Sequence, residues 1–490
     1  MPEARRSRVV TAAAVCAAAW AATVAARGAE KEAGARALEV LEQRREAFAE
    51  VARQIWGFAE VGYQEHKSSA LLQSQLRAGG FEVRSGVAGM PTAFVASWGQ
   101  GAPVVAFLAE FDALPGLSQA AVPERQPLAE GGPGHGCGHH LLGTASVAAA
   151  VAVKEWLAAG VPGGAKRAGT IRVYGTPAEE GGSGKVYMVR EGLFEGVDAA
   201  LAWHPADRNA ASTGSTLANV SAKFRFRGVS AHASASPDQG RSALDGVEAM
   251  DVMVNMMREH LPESARIHYV ITAGGKAPNV VPDFAEVYYV ARHPDITALD
   301  TIWDRIVKAA QGAALGTGTT VDHEVVSAVY SMLPNERLAA LQQRNLERVG
   351  GVVYNAEEEA FADRLRRTLS DKASPAGAQE KVRPMEAQLG KASTDLGDVS
   401  WSVPTAELSA ATWVPGTPAH SWQAVACGGT GIGTKGMMVA ARALALTAVD
   451  LFSDPAKVAA ARAEFEAKRA GRAYVSRIGD RKPALDYRKN

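Results

Sequence analysis

The chain has 490 residues, 47% hydrophobic and 21% charged, an ordinary composition for a folded protein and too long for one hydrophobic core, so two or more domains are expected. Lysine plus arginine equals aspartate plus glutamate, 52 against 52. This balance gives no electrostatic footprint for nucleic acid or an anionic membrane, and any ligand must be read from local clusters.

At the N-terminus, MPEARRSRVV is basic and TAAAVCAAAWAATVAA (11–26) is apolar and alanine-rich. Small residues near Gly28 and Ala29 complete the pattern of an export signal over 1–29. The apolar run is short for a membrane span, so none is expected in the mature chain, which would be periplasmic or secreted. The alternative is an N-terminal extension of a cytoplasmic enzyme. Arg5-Arg6 leaves twin-arginine export open. Cys16 would leave with the signal. Cys137 and Cys427 are free to pair in an oxidising compartment, but two cysteines make no framework.

From about residue 35, helices alternate with short apolar runs. EVLEQRREAFAEVARQIWGFAE (39–60) has helical periodicity, and SSALLQSQLRAGG (68–80) is a helix ended by two glycines. PVVAFLAEFD (103–112), TIRVYGTP (170–177) and DAALAWHP (198–205) read as strands, and LLGTASVAAAVAVKEWLAAG (141–160) as a helix. The order predicts an α/β domain with a mixed, mostly parallel sheet covered on both faces, binding ligands at the carboxyl ends of its strands.

A second pattern starts at Asn219: strand 219–228, helix 240–261, strands 266–275 and 285–294, helix 298–316, strand 319–328. This βαββαβ order predicts an inserted α+β, ferredoxin-like domain over 219–334, whose uncovered face or edge needs a partner. Residues 335–392 are polar and helical in tendency, and read as an insertion or a return segment. Strand and loop over 400–429 and a helix over 434–452 complete the first domain, 35–218 plus 393–455. A charged tail, 456–490, is expected to be solvated.

The chemistry concentrates in the loops. Cys137 and His139 stand two apart in HGCGHH at the start of the 141–160 helix, where thiolate and imidazole suit zinc or a neighbouring metal; the plainer reading is a glycine-rich turn with an inert cysteine. In TPAEEGGSGK, Glu180 is the candidate ligand and Glu179 the candidate base, because adjacent side chains on an extended segment point apart. His204, closing an apolar run, and His420, in PGTPAHSW, are further candidate ligands, and Asp112, in AEFDALPG, is a carboxylate suited to orient an imidazole. Without these neighbours each reads as a turn or strand-end residue. His232, Asn279 and Arg292 lie in the second pattern; Arg292 is suited to fork a carboxylate.

GQGAPVVAFLAEFDALPGLSQ, HGCGHHLLGTA, EEGGSGKVYMVREG, WHP, GVSAHAS, GRSALD, PNVVP, STDLGDVSW and VPGTPAHSWQ together resemble the aminoacylase/carboxypeptidase superfamily of two-metal metallopeptidases. Within it they resemble the amidohydrolase branch of hippurate and auxin-conjugate hydrolases. The resemblance implies that Cys137, His139, Glu180, His204 and His420 hold two divalent ions, zinc or manganese. It implies that Glu179 is the general base, that His232 reaches across a dimer to polarise the scissile carbonyl, and that Asn279 and Arg292 hold the substrate carboxylate. His140 stands where that family usually has Asp or Asn. The implied activity is hydrolysis of an N-acyl or N-aroyl amino acid such as p-aminobenzoyl-glutamate, by a homodimer or a heteromer with a related subunit. The alternatives are a dipeptide-cleaving exopeptidase and a non-catalytic metal- or ligand-binding subunit of a hetero-oligomer.

Overall fold

The computed structural model describes residues 34–160, 167–370 and 374–489; the expected export signal lies outside the described residues. The strands are β1 (Glu82–Ser85), β2 (Phe94–Gln100), β3 (Val104–Ala109), β4 (Gly169–Gly175), β5 (Ala199–Ala206), β6 (Ala210–Ser212), β7 (Ala218–Arg227), β8 (Arg266–Ala273), β9 (Phe284–His293), β10 (Thr320–Val329) and β11 (Thr405–Ala411). They form a seven-stranded sheet of order β1-β2-β4-β3-β5-β11-β6 and a four-stranded sheet of order β10-β7-β9-β8.

The larger sheet is parallel at its centre, where β4, β3, β5 and β11 run together. Its edges are antiparallel. The central strands are apolar on both sides because both faces are covered. On β3, Val105, Phe107 and Ala109 enter one core cluster, while Ala106 and Leu108 enter the other. The first core is filled by the His139–Ala158 and Gly431–Ser453 helices, which pack on each other. Both are long and apolar enough to cross a membrane, yet 83% and 78% of their apolar windows are buried inside the protein. A helix that is hydrophobic all round belongs in such a core.

The four-stranded sheet has the expected βαββαβ order. Val220, Ala222, Phe224 and Phe226 of β7 and Ala285, Val287, Tyr289 and Ala291 of β9 are buried beneath the Ala243–Met257 and Ile296–Thr317 helices. The opposite face is charged: Arg225 pairs with Glu286 and Glu324, each at 2.8 Å. Edge strand β8 exposes Val270 and Ile271, and the Ala243–Met257 helix exposes Met253 and Met256.

Two further regions pack against these cores. Within 335–392, helices Glu336–Val349 and Ala356–Arg366 bury Leu338, Leu341, Leu346 and Leu365 in the main core. Their polar composition covers only the outer face of an amphipathic pattern. The tail, expected to be solvated, is only partly so. After the Pro455–Arg469 helix, residues 472–488 run over the surface with Ile478 buried and Tyr474, Leu485 and Tyr487 packed against the second core.

Candidate metal centre

The carboxyl ends of the parallel strands open onto one place. β3 ends at Ala109, just before Glu110 and Asp112; β4 ends at Gly175, before the 176–183 loop; His204 lies near the end of β5; and β11 leads to the turn carrying His420. Cys137 and His139 arrive from the Gly138 cap of the His139–Ala158 helix. Gly138 has φ 78, and a Cβ there would stand 2.8 Å from Pro205 Cβ, so only glycine allows this close left-handed approach.

Three donor sets result: Cys137, His139 and His204; Cys137, Glu180 and His420; and Glu110, His139 and Glu179. In each set one ligand atom per residue lies within 4.8 Å of the others. Cys137 Sγ is 3.3 Å from His204 Nε2, and His420 Nε2 is 3.0 Å from Glu180 Oε1. Shared members make the sets one cluster. Asp112 supports it from behind: Oδ1 lies 2.9 Å from His139 Nδ1 and Oδ2 accepts the Glu180 N–H at 3.0 Å. His204 Nδ1 faces the Pro205 carbonyl at 2.7 Å, so Nε2 of both histidines turns to the cluster.

Buried polar atoms normally find partners, but here Glu110 Oε2, His139 Nε2 and Glu180 Oε1 make no aligned hydrogen bond. Glu110 Oε2 and His139 Nε2 stand close, at 3.1 Å, without the geometry of one. Orphaned acceptors and an imidazole converging beside a thiol are a donor set that fits zinc or a similar divalent ion.

The electrostatics are those of crowded buried charge. Burial, then Glu110 and Asp395, pushes the Glu179 carboxyl well above the usual range. Burial also raises the Cys137 thiol. Burial opposes protonation of His139, but Cys137, Glu110 and Asp112 outweigh it and raise its pKa. His420 is raised by its contact with Glu180. Beneath the cluster, fully buried Lys185 lies 2.6 Å from both Glu110 Oε1 and Asp395 Oδ1. Burial alone would raise Glu110, but Lys185 and His139 hold it low.

Seven of the sequence-derived candidates therefore meet: Cys137, His139, Glu179, Glu180, His204, His420 and, behind them, Asp112. The other three do not join them within this chain. His232 is exposed, its Nδ1 accepting the N–H groups of Ser234 and Ala235. Asn279, on the facing loop, is also exposed, and its carbonyl accepts from Ala233. Arg292 reaches Ser393 Oγ at 3.3 Å. His140 turns away from the cluster: its Nε2 lies 3.1 Å from the Gly428 carbonyl and its ring 4.8 Å from that of His135. Both rings are held neutral by burial, His135 pushed down to about 4. Cys137 and Cys427, the cysteines among the described residues, are free and buried.

Sequence reasoning missed Glu110, Lys185, Asp395 and Glu65. Glu110 stands two residues before Asp112, the spacing that puts both on one side of an extended segment, and this signal was available. Glu65 accepts the Ala178 N–H at 2.9 Å, anchoring the glutamate loop from far away in sequence. No local pattern marks it.

Residues 106–423 match the model of Peptidase family M20/M25/M40; the chain belongs to this family and is a metal-dependent hydrolase. One of the subunits of the p-aminobenzoyl-glutamate hydrolase of Escherichia coli (strain K12) is 44% identical over 443 residues, 85% of this chain and 91% of that protein. The Xaa-Arg dipeptidase of Mus musculus is 30% identical over 450 residues, 88% of this chain and 92% of that protein. Among solved structures, a dinuclear metal-binding peptidase of Bacillus subtilis has the same fold, with TM-score 0.56 at 16% identity over 84% of this chain and 99% of that one.

Proposed function

We propose that this chain hydrolyses the amide bond of N-acyl or N-aroyl amino acids of the p-aminobenzoyl-glutamate class. The observation that carries the reading is the cluster of Cys137, His139, Glu180, His204 and His420 with Glu179 beside it, in a chain 44% identical to a hydrolase subunit with that substrate in its name.

In this reading those five residues hold two divalent ions, zinc or manganese. When bound, such ions polarise a carbonyl and acidify water. Glu179 accepts the proton of the attacking water and returns it to the leaving amine. Asp112 fixes the His139 ring and the Glu180 backbone. Asn279 and Arg292 hold the substrate carboxylate. His232 of the partner subunit polarises the carbonyl, which explains why His232 stands apart from the donor cluster of its own chain. The exposed apolar edge at Val270 and Ile271 is the surface for that pairing, in a homodimer or a heteromer with a related subunit, as the word "subunit" in the relative's name suggests. Beside His204 lies a cavity of about 590 Å³ lined also by Arg208, Glu407, Ser409 and Trp413. Its size suits a small molecule, and Trp413 offers a flat wall to an aroyl ring. The mature chain acts after export.

The test is a hydrolysis screen of p-aminobenzoyl-glutamate, other N-acyl amino acids and dipeptides, with metal analysis on the same sample. The expected result is turnover of aroyl- or acyl-amino acids by the single purified chain carrying two ions. Cleavage of dipeptides alone would replace the substrate class. Metal-replete protein inert to all of them would leave the non-catalytic subunit.

A further inference from the structure

The C-terminal tail ties the small domain to the loop that carries both glutamates. Its contacts run in order along the chain. Arg472 donates to Thr297 Oγ1 at 3.3 Å and Arg477 Nη2 to Asp300 Oδ2 at 2.7 Å, both on the Ile296–Thr317 helix of the small domain. Arg481 donates to the Val326 carbonyl and lies 3.5 Å from Glu324, both on β10. Arg190, on the Gly184–Arg190 helix that follows the glutamate loop, donates back to the tail at the Gly479 and Arg481 carbonyls, at 3.0 and 2.7 Å. Gln64 then holds the Leu485 carbonyl at 2.7 Å. The tail ends on the loop itself: Arg488 Nη2 donates to the Glu180 carbonyl at 2.6 Å, with the Tyr487 hydroxyl 3.4 Å from the same oxygen.

That loop is held in costly backbone. Ala178 and Ser183 both sit at φ 57, outside glycine's privilege, and Gly181 at φ 111. Such conformations persist only where surroundings over-determine them. The Ala178 N–H is held by Glu65, the Glu180 N–H by Asp112 and the Gly182 carbonyl by Tyr63. Among the described residues, the Glu180 carbonyl is held by the tail alone. Tyr487 also packs edge-on against Tyr63, ring centroids 5.7 Å apart. β10 touches the loop directly, Ser327 Oγ lying 3.0 Å from Ser183 Oγ.

We propose that Tyr487 and Arg488 are positioning residues: the tail, anchored on the small domain through Arg477 and Arg481, locks the Glu180 peptide and so sets the aim of both glutamate side chains. The claim rests on the hydrolase reading for its kinetic arm, but not for its metal arm. Two variants test it in the full chain, Arg488→Ala and a stop after Lys482, with Arg488→Lys as the rescue. Turnover on the best substrate of the screen is measured with kcat and KM separated, and release of zinc to a chromogenic chelator is timed without substrate.

The expected result is a kcat about tenfold lower at unchanged KM for Arg488→Ala, since misplacement near reacting groups costs turnover rather than affinity. Zinc release should be several-fold faster, and Arg488→Lys should recover most of both losses, because lysine still donates to a carbonyl. The stop after Lys482 should show the same pattern, more strongly. If Arg488→Ala keeps kcat and zinc release within twofold of the wild type, the proposal is overturned, even where melting temperature falls, because that pattern marks a purely structural strap. If the unaltered chain cleaves nothing in the screen, the hydrolase reading fails alone, and zinc release still decides the strap.

Discussion

His139 and His204 of the larger domain are placed in the opposite way to His232 of the smaller one. In the larger one, His139 and His204 are enclosed, each with Nδ1 held by an oxygen of the same chain, Asp112 Oδ1 at 2.9 Å and the Pro205 carbonyl at 2.7 Å. In the smaller one, His232 is exposed, and its Nδ1 accepts N–H groups of its own turn. The difference teaches where one chain suffices. The side chains proposed to hold metal and move a proton are gathered within one chain, whereas His232 and Asn279 are presented outward, away from them.

The sharpest way to break this comparison is at the adjacent glutamates and the ligand behind them. Glu179→Ala is expected to keep its metal and lose turnover by about 10²–10⁴-fold, the usual worth of a positioned base. His139→Ala is expected to lose both metal and turnover. Metal content and kcat on one preparation check the pair; metal loss in Glu179→Ala would move that residue from base to ligand.

Next in size is the charge beneath the site. Lys185 is enclosed by Glu110 and Asp395 at 2.6 Å each. Lys185→Met would leave two carboxylates buried without their cation, which costs about 3–5 kcal/mol, read as a fall in denaturant midpoint. Arg225→Met is expected to move the midpoint far less. Its partners Glu286 and Glu324 lie on the charged outer face of the small sheet, and water takes over the solvation of such charges. Equal effects would erase the contrast between the two domains.

His232→Ala tests the outward-facing half. Turnover should fall about 10²-fold at full metal content, the scale of one lost transition-state donor. Mixing it with Glu179→Ala should then restore activity if His232 serves another copy. Failure of exchanged mixtures to recover would confine His232 to its own chain or remove its role.

How much of this was legible follows from the range of each interaction. The succession of most strands and helices and part of the site cluster were readable because alternation, helical period and strand-end loops are local patterns. Cys137, His139, Glu179, Glu180 and His204 each open, follow or close such a pattern. Glu65, Lys185 and Asp395 were not legible, because their reason is a partner more than a hundred residues away, 113 for Glu65 to Ala178 and 210 for Lys185 to Asp395. The tail was misread for the same cause: RIGDRKPALDYRKN is polar because most of its contacts are arginine and backbone hydrogen bonds, and composition does not separate that from solvation.

The effect that only a change of pH reveals lies on the seam between the domains. Tyr330 follows β10, and its N–H donates to Asp398 Oδ2 at 3.0 Å while the Tyr474 hydroxyl donates to Oδ1 at 2.8 Å. Burial, working against these bonds, pushes the Asp398 carboxyl up to about 7. A folded-state pKa above the unfolded value, about 3.9, means that the native state binds the extra proton between them. Stability from this group is therefore full below about pH 4 and is lost as pH rises toward 7. Asp398→Asn keeps an acceptor for Tyr330 and offers an N–H to Tyr474, whose hydroxyl accepts as well as donates. The variant should match the wild type near pH 4.5 and exceed it by about 3 kcal/mol at pH 8, a few degrees in melting temperature for a chain this large. Only the difference between the two pH profiles is diagnostic, since every other titrating group is common to both. A difference that is flat with pH would mean that Asp398 is ionised in the native state, with the seam held by a charge rather than by a retained proton.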